Sequence, residues 1–180
     1  MTLPNADDWI TAMDEEYESH MKNGTWELVE KPQGVNIVAS KWAFRVKTDQ
    51  DGKLKGYKAR LCAKGFSQIQ GVDYEETFAP VVSAAEFRLV FVIAASKGIP
   101  VHHMDVTTAF LNAKLSEEIF MDQPGYRVES KNGIQLVCKL HKAKYGLKQA
   151  GRAWWLTVST FLKRLGFKEC KADRCLFIRL

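Results

Sequence analysis

Residues 41–65 read KWAFRVKTDQDGKLKGYKARLCAKG. In the first part Trp42, Phe44 and Val46 alternate with Lys41, Ala43, Arg45 and Lys47. In the second part Tyr57, Ala59, Leu61 and Ala63 alternate with Lys58, Arg60, Cys62 and Lys64. Strands turn successive side chains to opposite faces, so both runs predict β-strands with one apolar side. Asp51-Gly52 between them is a turn signal. Pairing through that turn would gather Lys41, Arg45, Lys47, Lys58, Arg60 and Lys64 into one basic strip and send the apolar sides inward.

Working outward, Trp9, Met13, Tyr17 and Met21 recur every four residues and Gly24 offers a stop, which predicts a helix over 5–23. Residues 65–82 are loop-like. Residues 84–97 predict a buried helix ending at Gly98, and VHHMDV, 101–106, a short strand. Residues 107–115 return to helix-like spacing. IFMDQ and VESKNGIQLVCKL form a hairpin with Asn132-Gly133 as its turn. Residues 149–165 predict an amphipathic helix, and CLFIRL, 175–180, a closing strand. Mixed helices and strands place the chain in the α+β or α/β class.

The 180 residues carry a net charge of +5 and are 46% hydrophobic, so the chain is neither a disordered acidic tail nor low-complexity. The longest apolar run, Leu89–Ala95, is far below the ~20 residues of a membrane helix. The N-terminus has no basic region of the signal-peptide kind, which points to an intracellular chain. Cys62, Cys138, Cys170 and Cys175 form no CxxC pair and read as reduced thiols. Charge is divided along the chain. Residues 1–30 hold eight acids against Lys22, residues 41–64 eight bases against Asp49 and Asp51, and residues 139–152 five bases and no acid. Concentrated positive charge suits a phosphate partner; a solvated face is the plainer reading.

Asp105 ends an apolar run before a turn. A carboxylate there suits Mg²⁺, or else caps a helix. His102 and His103 are adjacent, would point to opposite faces of a strand, and cannot chelate one metal together.

The strings KWAFRVK, DGKLKGYKARLCAKGFSQIQGVDYEETFAPVV, HHMDVTTAFLNAKLSEEIFMDQPGY and KAKYGLKQAGRAWW resemble the reverse transcriptase of copia-type LTR retrotransposons, as does the opening WITAMDEEYESHMKNGTWELV. The resemblance runs over nearly the whole chain. It implies an α+β right-hand polymerase, with fingers at 1–82 and 113–148 and part of the palm at 83–112 and 149–180. It implies RNA-directed DNA synthesis from deoxynucleoside triphosphates on an RNA or DNA template with a primer, using Mg²⁺, with Mn²⁺ as a substitute. The setting it implies is a cytoplasmic virus-like particle or the nucleus.

By the same resemblance, Asp105 is the first catalytic carboxylate and holds metal together with the backbone carbonyl of Val106. Two metals of this kind clamp the attacking and leaving oxygens. The other two carboxylates belong to a Tyr-X-Asp-Asp motif that does not occur here, and DRCLFIRL resembles the segment just before it. The expectation is therefore a piece that stops before that hairpin and the thumb. Phe110 matches the aromatic that excludes ribonucleotides, with a core aromatic as the other reading. Gln149 matches a glutamine that touches the incoming nucleotide, with a helix-start polar residue as the other reading. Arg60, or Lys58 on the same side of the strand, matches the cation that grips the triphosphate, with Lys47 as a candidate partner on the neighbouring strand. Lys41, Arg45 and Lys64 are candidates for nucleic-acid contact. Lys144, Gly151 and Trp155 depart from the family's usual aliphatic, proline and tyrosine. The alternative is an inactive fragment retaining only non-specific nucleic-acid binding.

Overall fold

The computed structural model describes residues 5–179. Its regular elements are α1 (Ala6–Lys22), β1 (Trp26–Glu30), β2 (Ile37–Val38), β3 (Ser40–Thr48), β4 (Leu54–Ala63), α2 (Ala84–Ser96), β5 (Lys114–Met121), β6 (Ser130–Lys131), β7 (Ile134–Lys142), α3 (Ala150–Arg164), β8 (Lys168–Glu169) and β9 (Phe177–Ile178). Short 3-10 turns fall at Gly65–Ser67 and Ala109–Asn112. The mixed α and β content agrees with the class expected from the sequence.

The main sheet has the order β1-β7-β5-β2, with β6 folded back on β7. The fold-back uses the expected turn: Asn132 and Gly133 both have positive φ, 53° and 78°, as a type I′ turn requires. β7 is the centre of the sheet. Leu140 faces Trp26 on one side and Ile119 on the other, and Cys138 faces Leu28 and Met121. These residues form the core with Val38, Leu61, Ala63, Ala113, Ala143, Leu147 and Ala150.

β3 and β4 form a separate two-stranded ribbon. Its apolar side packs inward only near the base, where Ala59, Leu61 and Ala63 are buried. Farther out, Phe44, Val46 and Leu54 are exposed as the ribbon projects past the sheet, although α1 runs along β4 from Trp9 to Glu16. α1 straps ribbon to sheet. Trp9 meets Phe44 and Tyr57 edge-on at 5.2 and 4.5 Å, while Tyr17 and His20 pack on Trp26. Gly24, at φ 56°, ends the helix as expected, with its N–H donating to Met21 O.

Four sequence expectations differ from the structure. Residues 101–106 form no strand, since no other strand runs beside them. Residues 107–115 are not a helix. Thr108 has a left-handed φ of 49°, a single 3-10 turn follows, and pairing with β7 draws the chain into β5 from Lys114. The helix at 84–96 exists but is not buried. Only Ala94 lies inside, and Phe87, Leu89, Phe91 and Val92 are exposed because no described element packs over them. The last strand shrinks to Phe177–Ile178 against Lys168–Glu169, and residue 180 lies outside the described residues.

Lys144 is the strongest anomaly of the core. It is fully buried, its Nζ has no hydrogen-bond partner, and it lies 5.1 Å from the centre of the Trp26 ring. Burial pulls its pKa down to about 8, against smaller opposing effects of Cys138, Glu16 and Cys62. The nearby Glu16 carboxyl is pushed up by burial, but His20, the Leu61 N–H and Lys144 outweigh that and leave it below its ordinary value. His20 Nε2 lies 3.3 Å from Glu16 Oε1 without being aimed at it.

A folded pKa of about 8, below the ordinary lysine value of 10.5, means that the unfolded chain binds the Lys144 proton more tightly. Its contribution to stability therefore rises as pH increases from about 8 to about 10.5 and is most unfavourable below that window, by about 3 kcal/mol. Lys144→Leu should raise stability at pH 7, and the gain should shrink steadily toward pH 10.5. Denaturant unfolding of both chains across that range checks this. Cys138, pushed up to about 12 by burial, acts in the opposite direction with rising pH, so the difference between the two chains is the quantity to follow. A pH-independent difference would contradict the assignment.

Candidate functional site

The ribbon register decides where the cations point. Lys41 faces Cys62, Ala43 faces Arg60, Arg45 faces Lys58 and Lys47 faces Gly56. Directly opposed residues share a face. Lys41, Arg45, Lys47, Lys58 and Arg60 therefore lie on one side, with Trp42, Phe44 and Leu61 on the other. Lys64 falls one residue past β4, at the start of the 3-10 turn, and leaves the strip.

Arg45 and Lys58 are a like-charged pair in direct opposition, which destabilises a ribbon. Burial, then the positive charges of Arg60, Lys47 and Arg45, hold the Lys58 amine below its ordinary pKa, with Glu16 opposing. Crowded, partly shielded cations of this kind gain most when an anion settles among them.

The strip's inner end meets a second loop. Ala63 N–H donates to Tyr145 O at 2.8 Å. Gly146 has φ +95°, and a Cβ on it would lie 2.0 Å from Ala63 O; a Cβ on Gly65 would lie 2.1 Å from Gly146 O. Only glycine fits at either place. This contact sets Tyr145 beside Arg60, whose Cζ is 5.6 Å from the ring centre. Phe110, in the 3-10 turn, meets the same ring edge-on at 5.6 Å. The structure thus brings Arg60 and Phe110 together around Tyr145, a residue of the KAKYGLKQAGRAWW string that is not among the sequence candidates. Its signal is an aromatic directly before a loop glycine.

Gln149 is buried just ahead of α3. Its Oε1 accepts from Gln68 Nε2 at 3.1 Å and its Nε2 donates to Asp73 O at 2.8 Å. Gln68 Oε1 accepts from Lys148 N–H, and Asp73 Oδ2 accepts from Asn36 Nδ2 and Ile69 N–H. Gln149 therefore anchors the 65–74 loop, keeping one donor and one lone pair free. Its side chain also borders an open groove of about 1010 Å³ between α3 and β5. Gln68, Asp73 and Asn36 escape a reading of the sequence because nothing in their spacing marks a tertiary network.

Asp105 and Val106 are exposed in the irregular segment before the Phe110 turn. Asp105 caps no helix and makes no hydrogen bond or ion pair among the described residues. Its carboxylate and the Val106 carbonyl are hard oxygen donors of the kind Mg²⁺ takes. Among the described residues no three His, Cys, Asp or Glu side chains converge on a metal position. The donors fit the ion in kind and are too few for two ions.

Arg45→Glu should turn the opposed pair with Lys58 into an attractive one, raising stability by about 0.5 kcal/mol at low salt. The gain should fade in 1 M salt. The same change should weaken binding of inorganic tripolyphosphate. Thermal melts and calorimetric titration would check the opposite signs; a loss of both stability and binding would contradict the shared face.

Residues 23–180 match the family described as Reverse transcriptase (RNA-dependent DNA polymerase). The chain is 44% identical over 180 residues to the retrovirus-related Pol polyprotein from transposon TNT 1-94 of Nicotiana tabacum, covering 99% of this chain and 13% of that protein. It is 43% identical over 173 residues to the Pol polyprotein from transposon RE2 of Arabidopsis thaliana, covering 96% and 12%. A Ty1-JR1 Gag-Pol polyprotein of Saccharomyces cerevisiae is 26% identical over 177 residues, covering 94% and 10%. The chain thus spans about an eighth of the length of its plant relatives. No solved structure matches it. No described helix is long and apolar enough to cross a membrane. With the family spanning the chain from residue 23 and the plant transposon proteins matching nearly all of it, this chain belongs to the reverse transcriptases of copia-type retrotransposon Pol polyproteins.

Proposed function

We propose that the chain is the nucleotide-gripping part of an enzyme that copies RNA into DNA from deoxynucleoside triphosphates. The observation that carries this is that Arg60, near the inner end of a one-faced cation strip, and Phe110 both lie against the Tyr145 ring. Arg60 and Lys58 would hold the triphosphate, the planar guanidinium matching its oxygens. Lys47, Lys41 and Arg45 would extend the positive face along phosphates of the template–primer, and Lys64 would add charge at its base. Phe110 would crowd the sugar 2′-position. Gln149 would reach the nucleotide with its spare donor while its other bonds keep the 65–74 loop in place.

In this proposal the fold is a right hand, with fingers at 1–82 and 113–148 and palm at 83–112 and 149–180. Asp105 and the Val106 carbonyl would hold Mg²⁺, which supplies charge neutralisation at the reacting phosphate. The family match favours nucleotide handling over non-specific nucleic-acid binding alone.

Asp105 is the one matched carboxylate within these 180 residues, so they should not extend a primer on an RNA template with Mg²⁺ or Mn²⁺. Fusion to a relative's Tyr-X-Asp-Asp hairpin should bring extension, and Asp105→Asn in the fusion should abolish it. In the same fusion Phe110→Ala should admit ribonucleotides about tenfold more readily. Extension by the 180 residues alone that disappears in Asp105→Asn would show that the other carboxylates are misplaced. Unchanged sugar selectivity would remove Phe110 from its role.

A further inference from the structure

We infer that Tyr145 is a positioning residue for nucleotide selection, its ring holding Arg60 and Phe110 at a fixed separation. This rests on the nucleotide site proposed above. The backbone of Tyr145 has little freedom: its carbonyl takes the Ala63 N–H at 2.8 Å, and the next residue, Gly146, lies against Ala63. The residue as a whole is nevertheless 55% exposed, so it does not serve mainly to fill the core. A large aromatic left in solvent on a fixed backbone needs another reason, and its two neighbours supply one.

Arg60 lies on one side, at a distance where the negative face of a phenol ring attracts a guanidinium. Phe110 lies at 5.6 Å with an interplanar angle of 63°, the edge-to-face arrangement that aromatic pairs favour. Arg60 belongs to the ribbon and Phe110 to the turn after Asp105, and the described residues show no ion pair that ties Arg60 elsewhere. Tyr145 is thus the common neighbour of the triphosphate grip and the sugar gate. Both contacts use the ring, and the hydroxyl makes no hydrogen bond among the described residues.

Tyr145 therefore acts in two ways. It keeps the Arg60 guanidinium from swinging into solvent, which raises affinity for any nucleoside triphosphate. It also limits the tilt of Phe110, which sharpens the distinction between deoxyribose and ribose.

The test measures dATP and ATP binding to the 180-residue chain in Mg²⁺ by calorimetric titration, for wild type, Tyr145→Ala, Tyr145→Leu, Tyr145→Phe, Arg60→Ala and Phe110→Ala. Tyr145→Ala should weaken dATP binding about fivefold, the scale of one exposed cation–ring contact. It should also narrow the dATP preference toward that of Phe110→Ala. Tyr145→Phe should restore both. Should Tyr145→Ala fail to fold, Tyr145→Leu retains bulk without the ring's charge distribution and carries the same two expectations. If Arg60→Ala and Phe110→Ala change binding while Tyr145→Ala or Tyr145→Leu does not, the role of Tyr145 falls and the nucleotide site stands. The role also falls if a lower melting temperature accompanies unchanged dissociation constants, or if Tyr145→Phe behaves like Tyr145→Ala. If none of the variants, Arg60→Ala and Phe110→Ala included, alters binding, the nucleotide site falls and the inference with it.

Discussion

Two backbones touch where the ribbon's base meets the loop ahead of α3, and the candidate site depends on that contact. Gly65 and Gly146 carry no side chains there because a Cβ on either would collide with main-chain oxygen. The Ala63 N–H donating to Tyr145 O makes the contact directional as well as close. A close-packed joint of this kind has no soft direction in which a side chain can give way. Arg60 lies three residues before it on one strand, Tyr145 lies within it, and Gln149 follows three residues after Gly146. A site assembled from residues far apart in sequence is thereby fixed by main chain.

Around the joint the chain uses buried amides where it could have used apolar side chains. Gln68, Gln149, Asp73 and Asn36 satisfy one another and nearby backbone groups, and a satisfied polar network specifies one arrangement where a greasy contact would allow several. Lys144 stands in the opposite condition. It sits in the core with an unpartnered ammonium, between the sheet and the α1 strap. The network and the lysine are close in sequence, so one short segment carries both a source of order and a source of instability.

The ribbon was legible in the sequence because period two is a local rule: the alternation from Lys41 to Lys64 placed five cations on one face, and only Lys64 left the strip. The amphipathic helix after Gln149 and the Asn132-Gly133 turn were legible for the same reason. Residues 101–106 were not. Their apolar character suggested a strand, yet a strand needs a neighbour, and the neighbour is a tertiary fact. The apolar run of α2 implied burial without saying against what. Tyr145 lay inside a family-like motif, but its meeting with Arg60 and Phe110 spans 85 and 35 residues of chain. No periodicity reaches that far. Lys144 was visible as a charge at a position where the family carries an aliphatic residue; that it is wholly enclosed became visible only in three dimensions.

The projecting ribbon also has mechanical leverage. Held at Ala63 by the Tyr145 loop and again at Phe44 and Tyr57 by Trp9, it is a beam with two supports and a free Asp51-Gly52 tip. At about 3.3 Å per residue the supports at Ala63 and Tyr57 stand about 20 Å apart, and the overhang from Tyr57 to Leu54 measures about 10 Å. Bending the overhang by about 10° would carry its end through about 2 Å, by the same spacing. Lys53 and Lys55 ride on the overhang, while Lys58 and Arg60 lie between the supports.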